Sequence, residues 1–300
     1  MRAARIPLAV LVALLAACTT LPDGSERAAT ASRWAATRDW QRMTLGGPPI
    51  ELTAFGPPAH AVRRAQPLTV YIEGDGLAWL TPTRPSPDPT PLDPLALRLA
   101  LAQPEGLAAY LARPCQYTGR RDTAQCPGAL WTHARFSEQA VRATSQALDA
   151  LVQRYGATRL HLVGYSGGAA LAVLVAARRT DVASLTSVAG NLDPTHWTRV
   201  HGLTPLHDSL DPLERAPALG ALPQWHFSGE RDAVVPPDTA QRFMAHLPEG
   251  SRAQGLRLPG FDHRCCWTEQ WPALWRQSQV SPAPLRRAPH AFSANPATSL

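Results

Sequence analysis

Gly164-Tyr165-Ser166-Gly167-Gly168 sets a serine midway between two glycines. The spacing fits G-x-S-x-G, the pattern of a sharp strand-to-helix turn that presents a nucleophilic hydroxyl. Its cause is steric: side chains at the flanking positions of so tight a turn would collide with the neighbouring strand and helix. An alcohol is hardly ionised near neutrality, so Ser166 needs a base within hydrogen-bond reach and a third group to orient that base. The chemistry on offer is covalent acyl transfer. The chain has 10 histidines, so a histidine alone says little and its position must select the base.

The surrounding pattern supplies the elements such a turn requires. Arg159 to Val163 is a short apolar run suited to a buried strand, and Ala169 to Ala177 is a small, apolar run suited to a buried helix. Upstream, Leu68 to Glu73 reads as a strand ending in the turn Gly74-Asp75-Gly76, followed by a proline-rich loop from Thr81 to Pro94. Leu95 to Leu111 has helical periodicity interrupted at Pro104, and Trp131 to Phe136 is a strand or a connection. Ser137 to Tyr155 is a helix with Ser137 as N-cap, Val141, Leu148, Leu151 and Val152 on one face, and Gly156 at its end. Val182 to Val188, Gln224 to Ser228 and Gly255 to Leu258 read as strands, and Asp238 to Leu247 and Trp267 to Gln277 as helices. Strands alternating with helices predict an α/β fold: a mainly parallel sheet covered on both faces, with its site at the carboxyl ends of the strands.

From about Leu68 to Gln277 the chain resembles the α/β-hydrolase family, whose catalytic residues come in the order Ser, then Asp or Glu, then His. The resemblance makes Ser166 the nucleophile. It makes His263, in Gly260-Phe261-Asp262-His263 after the last strand, the base. Gly229-Glu230-Arg231-Asp232-Ala233-Val234-Val235-Pro236 resembles the family's G-x-x-D-x-x-V-P segment, which makes Asp232 the acid that orients the histidine. Glu230 and Asp193 are the rival acids, His226 the rival base, and Asp262 reads as a loop-capping residue. Two backbone amides are expected to form an oxyanion hole, one from Gly167 and one from Gly74 or Asp75. The family often has His-Gly where this chain has Glu73-Gly74-Asp75-Gly76, and an acidic side chain there must point away from a developing alkoxide.

The amino terminus has a separate reading. Met1 to Arg5 is basic, and Ile6 to Ala17 is apolar but too short to span a bilayer. Leu15-Ala16-Ala17-Cys18 resembles the lipobox of bacterial lipoproteins. The resemblance implies removal of residues 1–17, lipidation of Cys18 and residence in the bacterial cell envelope. Thr19 implies the outer membrane, at its periplasmic face. Residues 18–47 are expected to be tether and lead-in, 48–279 the hydrolase domain with 191–222 a lid or insertion, and 280–300 a disordered tail.

Four further cysteines allow three pairings. The simplest joins Cys115 to Cys126 across a short polar segment and leaves adjacent Cys265 and Cys266 either bridged or free. Their spacing is wrong for a zinc ribbon or finger, and no metal or cofactor is expected. His196, His201 and His207 with Asp193, Asp208 and Asp211 read as a polar loop. The formal charge is +6, and every basic residue is arginine. The arginines are scattered without aromatic interleaving, which argues against nucleic acid as a partner. Trp79 and Trp197 fall on loops near the expected site. The sequence therefore predicts a membrane-anchored serine hydrolase acting on an ester or similar acyl bond of a small-molecule or lipid-like substrate. The alternatives are a peptidase or acyltransferase of the same fold, or a non-catalytic binding scaffold.

Overall fold

The structure, a computed structural model, describes residues 21–119 and 125–285. The described chain opens with α1 (Gly24–Ala36), started by a reciprocal capping box between Asp23 and Glu26. A hairpin follows, β1 (Gln41–Gly47) and β2 (Ile50–Gly56), then β3 (Leu68–Ile72). The short pair β4 (Trp79–Thr81) and β5 (Arg84–Pro85) leads to α2 (Leu95–Ala102) and β6 (Leu107–Leu111). The rest alternates: α3 (Glu138–Tyr155), β7 (Leu160–Tyr165), α4 (Gly167–Ala176), β8 (Val182–Val188) and α5 (Pro194–Val200). It finishes with β9 (Gln224–Gly229), α6 (Thr239–Met244), β10 (Ala253–Leu258) and α7 (Trp267–Ser278).

Eight strands make one sheet in the order β1-β2-β6-β3-β7-β8-β9-β10. From β6 to β10 every neighbouring pair is parallel, while β2 pairs antiparallel with β1 and β6. Side chains alternate across the sheet as the strand period requires. In β3, Leu68, Val70 and Ile72 join one core and Tyr71 the other; in β6, Leu107, Ala109 and Leu111 oppose Ala108 and Tyr110. Both faces are apolar because both are covered: α3, α4 and α6 pack on the first, α1, α2 and α7 on the second. Helix α4 is buried along its whole length, which explains a sequence that is apolar all round. In α3, Ser137 Oγ accepts from the Ala140 amide and Gly156 closes the helix at φ 60°, with Val141, Leu148 and Leu151 buried as the periodicity predicts. Each such aliphatic side chain contributes roughly 1.5–3 kcal/mol by leaving water.

The structure departs from the sequence reading in several places. Residues 24–47, expected as tether and lead-in, fold as α1 and the edge strand β1. The core-facing residues of α1 are Ala31 and Ala35, too small to give a visible apolar stripe, and Arg27 is buried where its guanidinium reaches the Asp88 carbonyl. The helical periodicity read from Leu95 to Leu111 covers a helix and a strand. Pro104 and Gly106, the latter at φ 80°, end α2 and turn the chain into β6. Trp131 to Phe136 is connection, entered by a 3-10 turn over Gly128–Trp131. The 191–222 segment is ordered by α5 and a 3-10 stretch at Pro212–Leu219, with Leu192, Ala216 and Leu219 in the core. At the carboxyl end Pro284 pairs with Arg252, so the chain is still attached to the body there.

Disulfides join Cys115 to Cys126 and Cys265 to Cys266. The signal segment, Cys18 and residues 286–300 lie outside the described residues. Among those described, no helix is long and apolar enough to cross a membrane.

Candidate active site

Ser166 sits at the tip of β7, on the turn into α4, with φ 52° and ψ −123°. A non-glycine residue at positive φ is held there only by its surroundings. Here its amide donates to the Val188 carbonyl at 3.0 Å, and its own carbonyl accepts from the Asn191 amide at 3.0 Å. The glycines two residues to either side are required by close approach. A Cβ on Gly164 would stand 2.4 Å from Ala169 Cα, and one on Gly168 would stand 2.3 Å from the Ile72 carbonyl oxygen. The turn thus wedges the start of α4 between β7 and the end of β3.

His263 Nε2 lies 3.1 Å from Ser166 Oγ, and His263 Nδ1 lies 2.8 Å from Asp232 Oδ2. A carboxylate oxygen only accepts, so Nδ1 carries the proton and Nε2 is free to accept from the serine hydroxyl. The loop after β9 holds Asp232 almost fully buried, and its Oδ1 accepts from the amides of Val234 and Val235, each at 2.8 Å. The loop after β10 is fixed by Asp262, whose Oδ1 accepts from the Arg264 and Cys265 amides at 2.7 Å. These two bonds hold the Asp262 carboxyl below the ordinary aspartate range. Tyr165 completes the mount: its hydroxyl donates to the His263 carbonyl, and its ring lies 5.2 Å from the imidazole.

The rival residues have other partners. His226 is fully buried in β9, with Nδ1 2.8 Å from Ser187 Oγ, and burial pushes its pKa down to about 3. Asp193 caps α5 and pairs with Arg242 at 2.8 Å, and Glu230 is exposed.

The loop after β3 faces the nucleophile at backbone distance: a Cβ on Gly74 would stand 3.2 Å from that of Ser166. The Gly74 amide donates to Glu73 Oε1 at 2.8 Å. Among the described residues, no protein atom accepts from the amides of Asp75 and Gly167. Gly167 begins α4, where the first amides have no partner in the helix and the dipole favours negative charge.

Sequence reasoning left the Asp75 side chain unexplained. Its carboxylate is held by Arg113 Nη1 at 2.9 Å and by Arg135 Nη1. Burial pushes the Asp75 pKa up, but the two guanidiniums outweigh it and hold the carboxyl below its ordinary value. Arg113 Nη2 also donates to the Arg135 carbonyl, and Gln116 Nε2 donates to the Gly74 carbonyl at 3.0 Å. Nothing local in the sequence separates Arg113 and Arg135 from the other arginines, so only the fold reveals them. Beneath the loop, Glu73 is fully buried, and burial pushes its pKa up to about 8 against the hydrogen bond from the Gly74 amide.

A pocket of about 180 Å³ opens beside Ser166 and His263, walled by Leu77, Leu92, Leu95, Trp197 and Val235. The charged residues Glu73, Asp75, Asp93 and Arg264 also line it. Trp197 comes from α5 in the 191–222 segment, tied down by its Nε1 donating to the Val234 carbonyl at 2.8 Å. Trp79, also singled out from sequence, is substantially exposed and outside the pocket wall.

Sheet order, elbow and strand-end residues together define the α/β-hydrolase fold, and solved structures agree. An esterase from Pyrococcus furiosus matches with a TM-score of 0.53 at 10% identity, over 80% of this chain and 89% of that one. Proline iminopeptidase from Mycobacterium smegmatis matches with a TM-score of 0.52 at 14% identity, over 80% and 97%. A bacterial membrane phospholipase A matches with a TM-score of 0.51 at 15% identity, over 85% and 88%. No protein-family model and no curated protein matches the chain by sequence.

Proposed function

We propose that this chain is a serine hydrolase of the bacterial envelope, anchored through Cys18, that cleaves a carboxylic ester or related acyl bond. The observation supporting this is the continuous line from Ser166 Oγ through His263 to Asp232, with both hydrogen bonds in place. In this reading Ser166 attacks the acyl carbonyl as His263 Nε2 takes its proton. The Asp75 and Gly167 amides receive the developing oxyanion, and Asp232 stabilises the imidazolium. His263 then returns the proton to the leaving group, and a water activated by His263 releases the acid from Ser166. The pocket is smaller than the roughly 300–1,000 Å³ of sites for drug-sized ligands, which favours a short acyl group.

Labelling by a fluorophosphonate probe tests the proposal. The folded protein should label, and Ser166→Ala should not; equal labelling of the two, or none of either, would sink it. Asp232→Asn should lower kcat by roughly 10⁴-fold through the wrong imidazole tautomer. A panel of p-nitrophenyl esters against peptide anilides separates esterase from peptidase. Cys18→Ser should release the protein from the membrane fraction.

A further inference from the structure

Among the described residues, the exposed large apolar side chains Trp79, Leu92, Val200, Leu203 and Val234 sit on the segments around the pocket mouth. Leu92 and Val234 belong to the pocket lining itself. Val200 closes α5, the helix that brings Trp197 to the pocket, and Leu203 follows that helix. His201 Nε2, between them, donates to the Val234 carbonyl at 2.9 Å, so α5 and the loop after β9 present these side chains together. Trp79 lies just beyond Leu77, another lining residue, on the β4–β5 hairpin. Single exposed apolar residues are ordinary, but a group of them gathered about one opening marks an interaction site.

Charge and chain path both select a lipid surface as the partner. Residues 77–92, 197–203 and 233–235 expose no acidic side chain: Asp88 is buried, and the exposed permanent charges are Arg84 and Arg199, with Arg264 beside the pocket. Asp93, next to Leu92, is paired with Arg98 at 3.1 Å. Arginine suits headgroup phosphates, and tryptophan suits the lipid–water boundary. The start of α1 lies on the same side. Arg27 donates to the carbonyls of Asp88 and Thr90, and a Cβ on Gly24 would stand 1.8 Å from Asp88 Oδ2. Leu21, also exposed, therefore precedes a helix that begins beside the loop carrying Leu92. Val280 marks the opposite end: its carbonyl accepts from Trp225 Nε1 at 2.8 Å near the start of β9, at the amino ends of the parallel strands.

We propose that Trp79, Leu92, Val200, Leu203 and Val234 form a rim that docks on a phospholipid bilayer and seats the mouth of the Ser166 pocket at the lipid–water boundary. The rim rests on the hydrolase reading for what passes through it: an ester already partitioned into the membrane, which reaches Ser166 without crossing bulk water. It is a second membrane contact besides Cys18, and it sets an orientation that a lipid link alone would leave free.

Site-directed fluorescence in vesicles tests it. Val200→Cys, Leu203→Cys and Val280→Cys are each made in the full chain, labelled with a nitrobenzoxadiazole thiol probe and reconstituted into vesicles of phosphatidylcholine and phosphatidylglycerol. Flotation isolates the vesicle-bound protein. Emission from positions 200 and 203 should shift to shorter wavelength on adding vesicles and be quenched by doxyl-labelled phosphatidylcholine, while emission from position 280 should do neither. Wild type labelled in parallel reports any free thiol at Cys18, so failure of the lipid-anchor reading shows there, and fluorophosphonate labelling of Ser166 reads the hydrolase separately. Failure to float, absent quenching at 200 and 203, or equal quenching at 280 would overturn the proposal. So would a shift that needs no lipid and grows with protein concentration, since a second copy would then cover the rim. All three side chains are exposed, so each variant should fold.

Discussion

Asp75 Oδ1 occupies the place where a side chain at Gly167 would begin: a Cβ there would stand 2.0 Å from it and 3.0 Å from Arg113 Nη1. The carboxylate cannot swing aside without breaking its pairs with Arg113 and Arg135. Gly167→Ala must therefore displace either the clamp or the elbow that aims the Gly167 amide. A kcat lowered by roughly 10²–10³-fold is expected, the size of losing one oxyanion donor. Steady-state kinetics on an ester should show this with KM little changed; unaltered kcat would mean that this amide is not at the oxyanion.

The clamp is two guanidiniums around one carboxylate, so its members are unequal. Arg135→Met leaves a neutral Asp75–Arg113 pair, whereas Asp75→Asn leaves two buried arginines facing each other without a counter-charge. Asp75→Asn should be the more damaging, at about 3–5 kcal/mol, the usual cost of an uncompensated buried charge. Urea midpoints of the two variants check the order, and a larger loss for Arg135→Met would contradict it.

Two buried groups should give the protein a broad stability maximum in mildly acidic solution. Glu73 titrates near 8 when folded and at its ordinary 4.5 when unfolded. Across that window the native state keeps a proton the unfolded chain has lost, so stability falls as pH rises. His226 titrates near 3 folded and 6.5 unfolded. There the unfolded chain binds the extra proton, so stability falls as pH drops. Between about 4.5 and 6.5 the two slopes oppose each other. Glu73→Gln keeps an acceptor for the Gly74 amide and should remove much of the fall between pH 6.5 and 8. Urea unfolding from pH 4 to 9 tests this, and parallel curves for variant and wild type above pH 6.5 would refute it.

What the sequence made legible was local. Ser166, Asp232 and His263 each stand in a short motif at a strand end, and the strands around them are marked by β-branched or apolar runs. Alanine hid α1, because Ala31 and Ala35 bury little area per residue. The run from Leu95 to Leu111 satisfied two periods at once, and only Pro104 and Gly106 show where one gives way to the other. The acidic side chain expected to point away from an oxyanion is held by Arg113 and Arg135, which the fold alone brings to Asp75.

Helix α1 starts at the capping box on Asp23. Cys18 precedes it by five residues, and at no more than about 3.6 Å per residue that stretch reaches roughly 18 Å. With a lipid on Cys18, the enzyme would work on a short leash, its body lying almost against the bilayer. Such a tether confines its hunting ground to a thin shell above the membrane, so substrates would have to come to the surface rather than be sought across the compartment.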